Sequence, residues 1–260
     1  LPRAAVSANR IAEVLETESQ IQDPVSPVKA PRRGGKVEFR DVTFTYPGAA
    51  EPVLHNISFV ALPGETTAFV GSTGSGKSTI INLIPRFYEV TEGQVLLDDV
   101  DVRAMRQKDL RARIGYVSQK AMLFSGTIKD NIIYGNPRAS QEEILQAAAT
   151  AQALEFIKEL EQKFDSSIAQ AGSNFSGGQK QRLAIARALA KNPELYLFDD
   201  SFSALDFKTD TALRHALKKE AQGKTVIIVT QRIATIMNAD KIIVIDQGEI
   251  VGQGDRKSVV

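Results

Sequence analysis

The chain has 260 residues, which at about 150 residues per domain allows one large domain with an appendage, and its 43% hydrophobic and 24% charged content excludes a disordered tail or a fibre. Lysine plus arginine total 32 against 31 acids, so the net charge of +1 gives no bulk reason to bind nucleic acid. Cysteine is absent and the two histidines, His55 and His215, stand far apart, which removes disulfide scaffolds, thiol nucleophiles and clustered Cys/His metal sites; both histidines are assigned to solvated surface.

In chain order, Val6, Ile11, Val14, Leu15 and Glu18 give a short helical pattern with a narrow apolar face on a polar background. The stretch Asp23 to Lys36 has three prolines, two glycines and four basic residues and reads as a linker, with a boundary near Lys36. The chain opens in mid-pattern without an initiator methionine and is expected to be a segment of a longer polypeptide. From Val37 the alternation Val37, Phe39, then Val42, Phe44, Tyr46 predicts strand with a slip at Arg40 and Asp41. Further strands are predicted at 56–60, 66–70, 93–98, 114–118, 195–198, 225–229 and 241–245, interleaved with helices. Residues 121–191 read as helical throughout, a helical subdomain inserted between β-rich parts. The fold class is therefore α/β with a helical subdomain.

Two motifs carry chemistry. Gly71, Ser72, Thr73, Gly74, Ser75, Gly76, Lys77, Ser78 and Thr79 follow an apolar strand and open a helix. Glycines at these positions let successive backbone N–H groups turn toward a polyphosphate, Lys77 adds a mobile positive charge, and the Ser78 hydroxyl is placed to hold Mg2+. The second motif is the buried run Leu195 to Phe198 ending in Asp199 and Asp200, acids at the crevice end of a strand, with Asp199 the natural partner for the magnesium ion. The competing readings are a flexible Gly/Ser loop and an acidic strand end used only for capping.

Between the motifs stands NFSGGQKQRLAIARALAKNPELYLFDD, Asn174 to Asp200. Here the sequence resembles the nucleotide-binding domain of ATP-binding cassette transporters, and the likeness covers about Val37 to Gly254. FSGGQ (175–179) is similar to the family signature with phenylalanine for the usual leucine, Gln119 to the Q-loop glutamine, and SALD (203–206) to the D-loop. The resemblance implies a P-loop NTPase core of mixed, mainly parallel sheet with an antiparallel β subdomain. It implies ATP and Mg2+ as cofactors, Tyr46 stacked on adenine, and Gln119 joining Ser78 and Asp199 around the metal. The competing readings are a core aromatic for Tyr46, loop filler for Gln119 and a helix cap for Ser176. By the same resemblance Ser176, Gly177, Gly178, Gln179 and Asp206 act in trans, closing over the ATP of a second cassette in a head-to-tail dimer.

The stretches VEFRDVTFTYPG, VLHNISF and LFSGTIKDNIIYG, with the leader SANRIAEVLETE, resemble exporters whose membrane and nucleotide domains share one polypeptide. They divide the chain into a connecting segment 1–36, a cassette 37–254 and a tail 255–260 that departs from the family continuation and reads as a truncation or a non-native end. The implied partners are a second cassette and the transmembrane domain of the same longer chain, on the cytoplasmic side of the membrane, with no nucleic acid. Residues 169–174, where exporters touch their coupling helices, depart from the usual glutamate-containing version.

The family places a glutamate and a histidine where this chain has Asp200 and Gln231. An aspartate carboxylate retreats by roughly 1 Å, a displacement on a scale that costs about a hundredfold in rate, and Gln231 carries neither proton nor charge. Lys77 and the other binding groups are kept while the groups that favour the transition state are altered, so the site is expected to hold ATP and cleave it slowly. The chain then reads as the degenerate half of a heterodimeric exporter. The competing functions are an ATP-occupied regulatory module and a soluble cassette ATPase.

Overall fold

In the computed structural model, which describes residues 2–16, 21–232 and 236–255, the chain opens with helix α1 (Pro2–Glu16). Of its expected apolar stripe, Val6 and Ile11 are exposed, while Glu18 and the side chains of Val14 and Leu15 lie outside the described residues. Next come β1 (Val37–Phe44), β2 (Leu54–Ala61), β3 (Thr66–Val70), α2 (Lys77–Leu83), β4 (Glu92–Leu97), β5 (Val100–Asp101), α3 (Gln107–Ala112) and β6 (Ile114–Val117). The insertion holds β7 (Gly126–Thr127), α4 (Ile128–Ile133), α5 (Gln141–Thr150), α6 (Leu154–Glu159), β8 (Ser167–Ile168) and α7 (Gly177–Ala190). The chain then runs through β9 (Leu195–Asp199), α8 (Phe207–Glu220), β10 (Thr225–Val229), β11 (Lys241–Asp246) and β12 (Glu249–Gly254). Among the described residues no helix is long and apolar enough to cross a membrane.

An antiparallel sheet β2-β1-β4-β5 faces a second sheet of order β12-β11-β3-β10-β9-β6, in which only β12 runs antiparallel to its neighbour. Every residue of β9 and β10 is buried, as expected of central parallel strands covered on both faces. Their period of two divides the core. Leu195, Leu197, Ile227 and Val229 join Phe39, Phe59, Ile80 and Ile84 between the two sheets, whereas Tyr196, Phe198, Val226 and Ile228 join Leu183, Ile185 and Leu213 on the helical side. The slip at Arg40 and Asp41 is a break in register with both neighbouring strands, and Asp41 takes φ 48° there.

Two features differ from the sequence reading. The insertion is not wholly helical: β7 and β8 pair antiparallel, Gly126 with Ile168 and Thr127 with Ser167. Two-residue strands have no periodicity to announce them. The Pro/Gly-rich stretch up to Lys36 is fastened rather than loose. The Arg33 and Lys36 N–H groups donate to the two oxygens of fully buried Asp98, which also takes the Arg113 guanidinium, and Arg113 reaches Glu194 and the Pro31 carbonyl. Gly35 fits only because it lacks a side chain: a Cβ there would lie 2.8 Å from the Glu194 carbonyl oxygen, at φ 82°. Of the tail, 256–260 lie outside the described residues.

Candidate nucleotide site

The parallel strands β3, β6, β9 and β10 deliver the candidate residues to one edge of the sheet, at their carboxyl ends, where open α/β sheets bind ligands. Beyond β3 the loop Gly71–Gly76 bends under Lys77, the first residue of α2. The loop rests on the β11–β12 hairpin, where a Cβ on Gly71 would fall 2.0 Å from the Ile245 carbonyl oxygen. The Gly248 N–H donates to the Ser75 carbonyl (3.2 Å) and Ser72 Oγ donates to Asp246 Oδ1 (3.4 Å).

Lys77 is 6% exposed. Its Nζ donates to the Gly71 carbonyl (3.0 Å), the Ser72 carbonyl (2.6 Å) and Ser75 Oγ (3.2 Å), so the loop curls around the ammonium. Burial holds the ammonium pKa below the ordinary lysine value, against the opposing pull of Asp200 and Asp199. Ser78 Oγ donates to Asp199 Oδ1 at 2.8 Å. Burial raises the Asp199 pKa, opposed by the Ser78 hydrogen bond; Asp200 pushes the same way as burial, and Lys77 opposes it.

A hydroxyl and a carboxylate at this separation are hard oxygen donors of the kind Mg2+ takes, and the ion's remaining positions suit phosphate oxygens and water. Among the described residues no cluster of three or more His, Cys, Asp or Glu could hold a metal by itself. The residues present therefore fit both groups, a magnesium ion at Ser78 and Asp199 and a polyphosphate around Lys77.

The remaining expected residues arrive by different routes. Asp200 follows β9 directly, in the left-handed region at φ 42°, a conformation aspartate tolerates. Its N–H donates to the Val229 carbonyl (2.9 Å), while Ser203 N–H and Oγ donate to its own carbonyl, so the backbone there is fixed. Gln119, past the end of β6, donates from Nε2 to Asp200 Oδ2 at 3.4 Å, and Gln231, past β10, donates from Nε2 to Thr73 Oγ1 at 3.4 Å. Tyr46 is half-buried: its ring meets Phe44 and Tyr88 edge-on, and its hydroxyl shares a 2.9 Å hydrogen bond with Thr79 Oγ1. It thus packs as an aromatic while its hydroxyl reaches the first turn of α2.

Ser176 to Gln179 and Asp206 form a separate group. Ser176 Oγ accepts from the Gln179 N–H (3.2 Å) and Gln179 Oε1 from the Ser176 N–H (2.9 Å), a reciprocal cap that starts α7. Asp206 caps α8 by accepting from the Thr209 N–H (2.9 Å) and Oγ1 (2.7 Å), and the first of these is the main reason its pKa lies below the usual carboxylate range. Gly178 packs on the turn before α8, where a Cβ would lie 3.3 Å from the Ala204 carbonyl oxygen. Among the described residues no hydrogen bond joins this group to Lys77 or Asp199.

Sequence reasoning missed the braces between these parts. Arg232 donates to the carbonyls of Ser203 (2.6 Å) and Leu205 (3.3 Å) and pairs with Asp210 (3.5 Å), tying the residue after Gln231 to the turn that carries Asp206. Gln181, 2% exposed, donates to the Ser118 carbonyl and so joins α7 to the strand end before Gln119. One signal was available: Asp210, Leu213 and Leu217 share a helical face, and an acid on a buried stripe demands a cation. His215 is exposed, while His55 is half-buried with its N–H on the Gly248 carbonyl.

The ABC transporter family model matches residues 54–203. An ABC transporter ATP-binding protein of Mycobacterium tuberculosis is 48% identical over 265 residues, covering 100% of this chain and 45% of its own length. An ATP-dependent lipid A-core flippase of Haemophilus influenzae is 44% identical over 248 residues, 95% of this chain and 42% of its own. Among solved structures, a bacterial Atm1-family ABC exporter with ATP bound superposes with a TM-score of 0.91 at 37% identity, over 98% of this chain and 45% of that one. The chain thus spans less than half the length of these relatives.

Proposed function

Because the chain belongs to the ABC transporter family, we propose that it is the nucleotide-binding domain of an exporter, in which ATP-driven head-to-tail pairing with a second cassette powers transport across a membrane. The observation that supports this most is the convergence of Lys77, Ser78 and Asp199, with Gln119, Asp200 and Gln231 around them, at one sheet edge. Lys77 and the loop N–H groups bind the phosphates, Ser78, Asp199 and Gln119 hold the metal, and Tyr46 takes the adenine. Bound Mg2+ supplies positive charge that neutralises the phosphate oxygens. The cap N–H groups at Gly177 and Gly178, with Ser176, Gln179 and Asp206, serve the partner's nucleotide.

Exporter relatives support the transport reading, and the transmembrane domain is assigned to the remainder of a longer chain, with the cassette on its cytoplasmic side. An exposed aromatic patch suits that contact. Phe124 and Tyr134 stack at 4.4 Å over Arg187, next to Met122, which is 70% exposed. The segment 1–36 connects the two parts, 37–254 is the cassette, and 255–260 is a tail.

Asp200 and Gln231 further support a slow, ATP-holding site, in a chain that pairs with a different cassette bearing glutamate and histidine. Gln119 and Thr73 give both side chains neutral partners, which favours occupancy over turnover. The test is ATP turnover by the purified chain, alone and carrying Asp200→Glu with Gln231→His. Slow turnover in the first and a rise of about a hundredfold in the second are expected. Brisk turnover by the unmodified chain overturns the slow-site reading, and failure to bind ATP overturns the function itself.

A further inference from the structure

The end of α2 away from Lys77 is held by residues outside the recognised motifs. The helix ends at Leu83, and Arg86, in the turn that follows at φ 57° and 4% exposure, places its N–H on the Leu83 carbonyl (3.1 Å). Arg111 covers the carbonyls that follow, donating from Nε to Pro85 (3.0 Å) and from NH2 to Arg86 (2.8 Å). Two guanidinium groups thus stand close together in the turn that follows the helix, where like charges oppose each other. Their counter-charges are Glu89, which pairs with Arg86, and Asp23 from the leader.

The leader is bolted to this point. The Gln22 carbonyl accepts from Arg86 NH2 at 2.8 Å. Asp23 Oδ1 accepts from the Gln107 N–H at 2.9 Å, and Gln107 Nε2 donates to the Ile21 carbonyl at 3.1 Å. Asp23 thereby supplies from a distance the cap that α3 lacks, since Arg106 at its N-cap position makes no side-chain cap. The Val28 N–H then donates to the Ala104 carbonyl (2.8 Å), and the path ends in the Asp98, Arg113 and Glu194 cluster. A strap from Ile21 to Lys36 therefore begins at the far end of the phosphate-loop helix and finishes at the joint of the two sheets.

We propose that Arg86, which holds the Gln22 carbonyl, and Asp23, which holds Gln107 at the start of α3, are positioning residues that fasten this strap beside the base of α2, so that seating of the leader and affinity for nucleotide are coupled. The proposal rests on the nucleotide-binding reading. α2 is seven residues long, about 10 Å at 1.5 Å per residue, and moves as a rod. Because the Arg86 N–H holds the carbonyl of Leu83, the last residue of that rod, a displacement at Arg86 is passed toward Lys77, and by linkage a ligand at Lys77 must tighten the strap by the factor with which the strap tightens the ligand.

The test uses the full chain and a fluorescent, non-hydrolysable ATP analogue with Mg2+. Asp23→Ala is expected to weaken analogue binding by about fivefold, the lower end of ordinary coupling, while Asp23→Asn, which keeps the accepting oxygen, stays near the unmodified value. Amide hydrogen exchange of residues 21–36 in the unmodified chain should slow when the analogue is added, and in Lys77→Ala should not respond. A purely structural strap would lower the melting temperature of Asp23→Ala without changing analogue affinity. Equal affinities for all three proteins, or exchange in the strap that ignores bound analogue, overturn the proposal and leave the nucleotide reading standing. No binding by the unmodified chain overturns both.

Discussion

The Lys77 ammonium is the most tightly surrounded charge of the phosphate loop, with three oxygens of the loop itself as partners. Lys77→Ala removes a charge whose pKa burial already holds down, so the fold should survive while ATP binding, read by calorimetry, is lost. Gly71→Ala acts oppositely, through shape. Its Cβ would meet a backbone oxygen, which has no rotamer to yield, and a cost of about 1–3 kcal/mol is expected in urea denaturation. These residues were legible from sequence because their spacing along the chain is local, although what Gly71 must avoid, the Ile245 carbonyl, is not. Arg232, Gln181 and Asp246 were not, because each works through a partner that only the fold brings near, as Asp246 does with Ser72 across 174 positions.

Helices α7 and α8 present their first turns side by side, and each cap contributes to the stability of this chain alone. Ser176→Ala should lower stability by about 1 kcal/mol in the isolated protein, a typical loss for an N-cap hydroxyl, whatever the residue does for a partner. Asp206 adds a pH term. Its folded-state pKa lies below the unfolded value, so its stabilising effect is present above the unfolded pKa and is lost as pH falls through the folded one. Asp206→Asn keeps an acceptor for the Thr209 N–H but does not titrate, so its denaturation midpoint should fall less than that of the unmodified chain between pH 6 and about pH 3. The capping pattern and the apolar runs of β9 and β10 could be read directly. The pair β7 and β8 could not, since two residues carry no period.

At the scale of the molecule, the two sheets and the leader meet at one buried ionic cluster. Asp98→Ala would leave Arg113 with Glu194 as its one carboxylate and strip the Arg33 and Lys36 N–H groups of their acceptor, which should cost about 3–5 kcal/mol in urea denaturation. Composition misrepresented this region: prolines and glycines signal irregular backbone, and irregular backbone here is held in place by distant side chains. The α/β class and the sheet edge where ligands gather were legible because alternation and burial are written locally. The order of strands was not, and it has a consequence for synthesis. β3, which ends in the phosphate loop, lies between β10 and β11, both made more than 150 residues later. A nascent chain leaving the ribosome can pair β1 with β2 and β4 early, but the two strands that flank the phosphate loop arrive only after the whole insertion has been made, so cellular nucleotide can reward the folding of this segment only late in its synthesis.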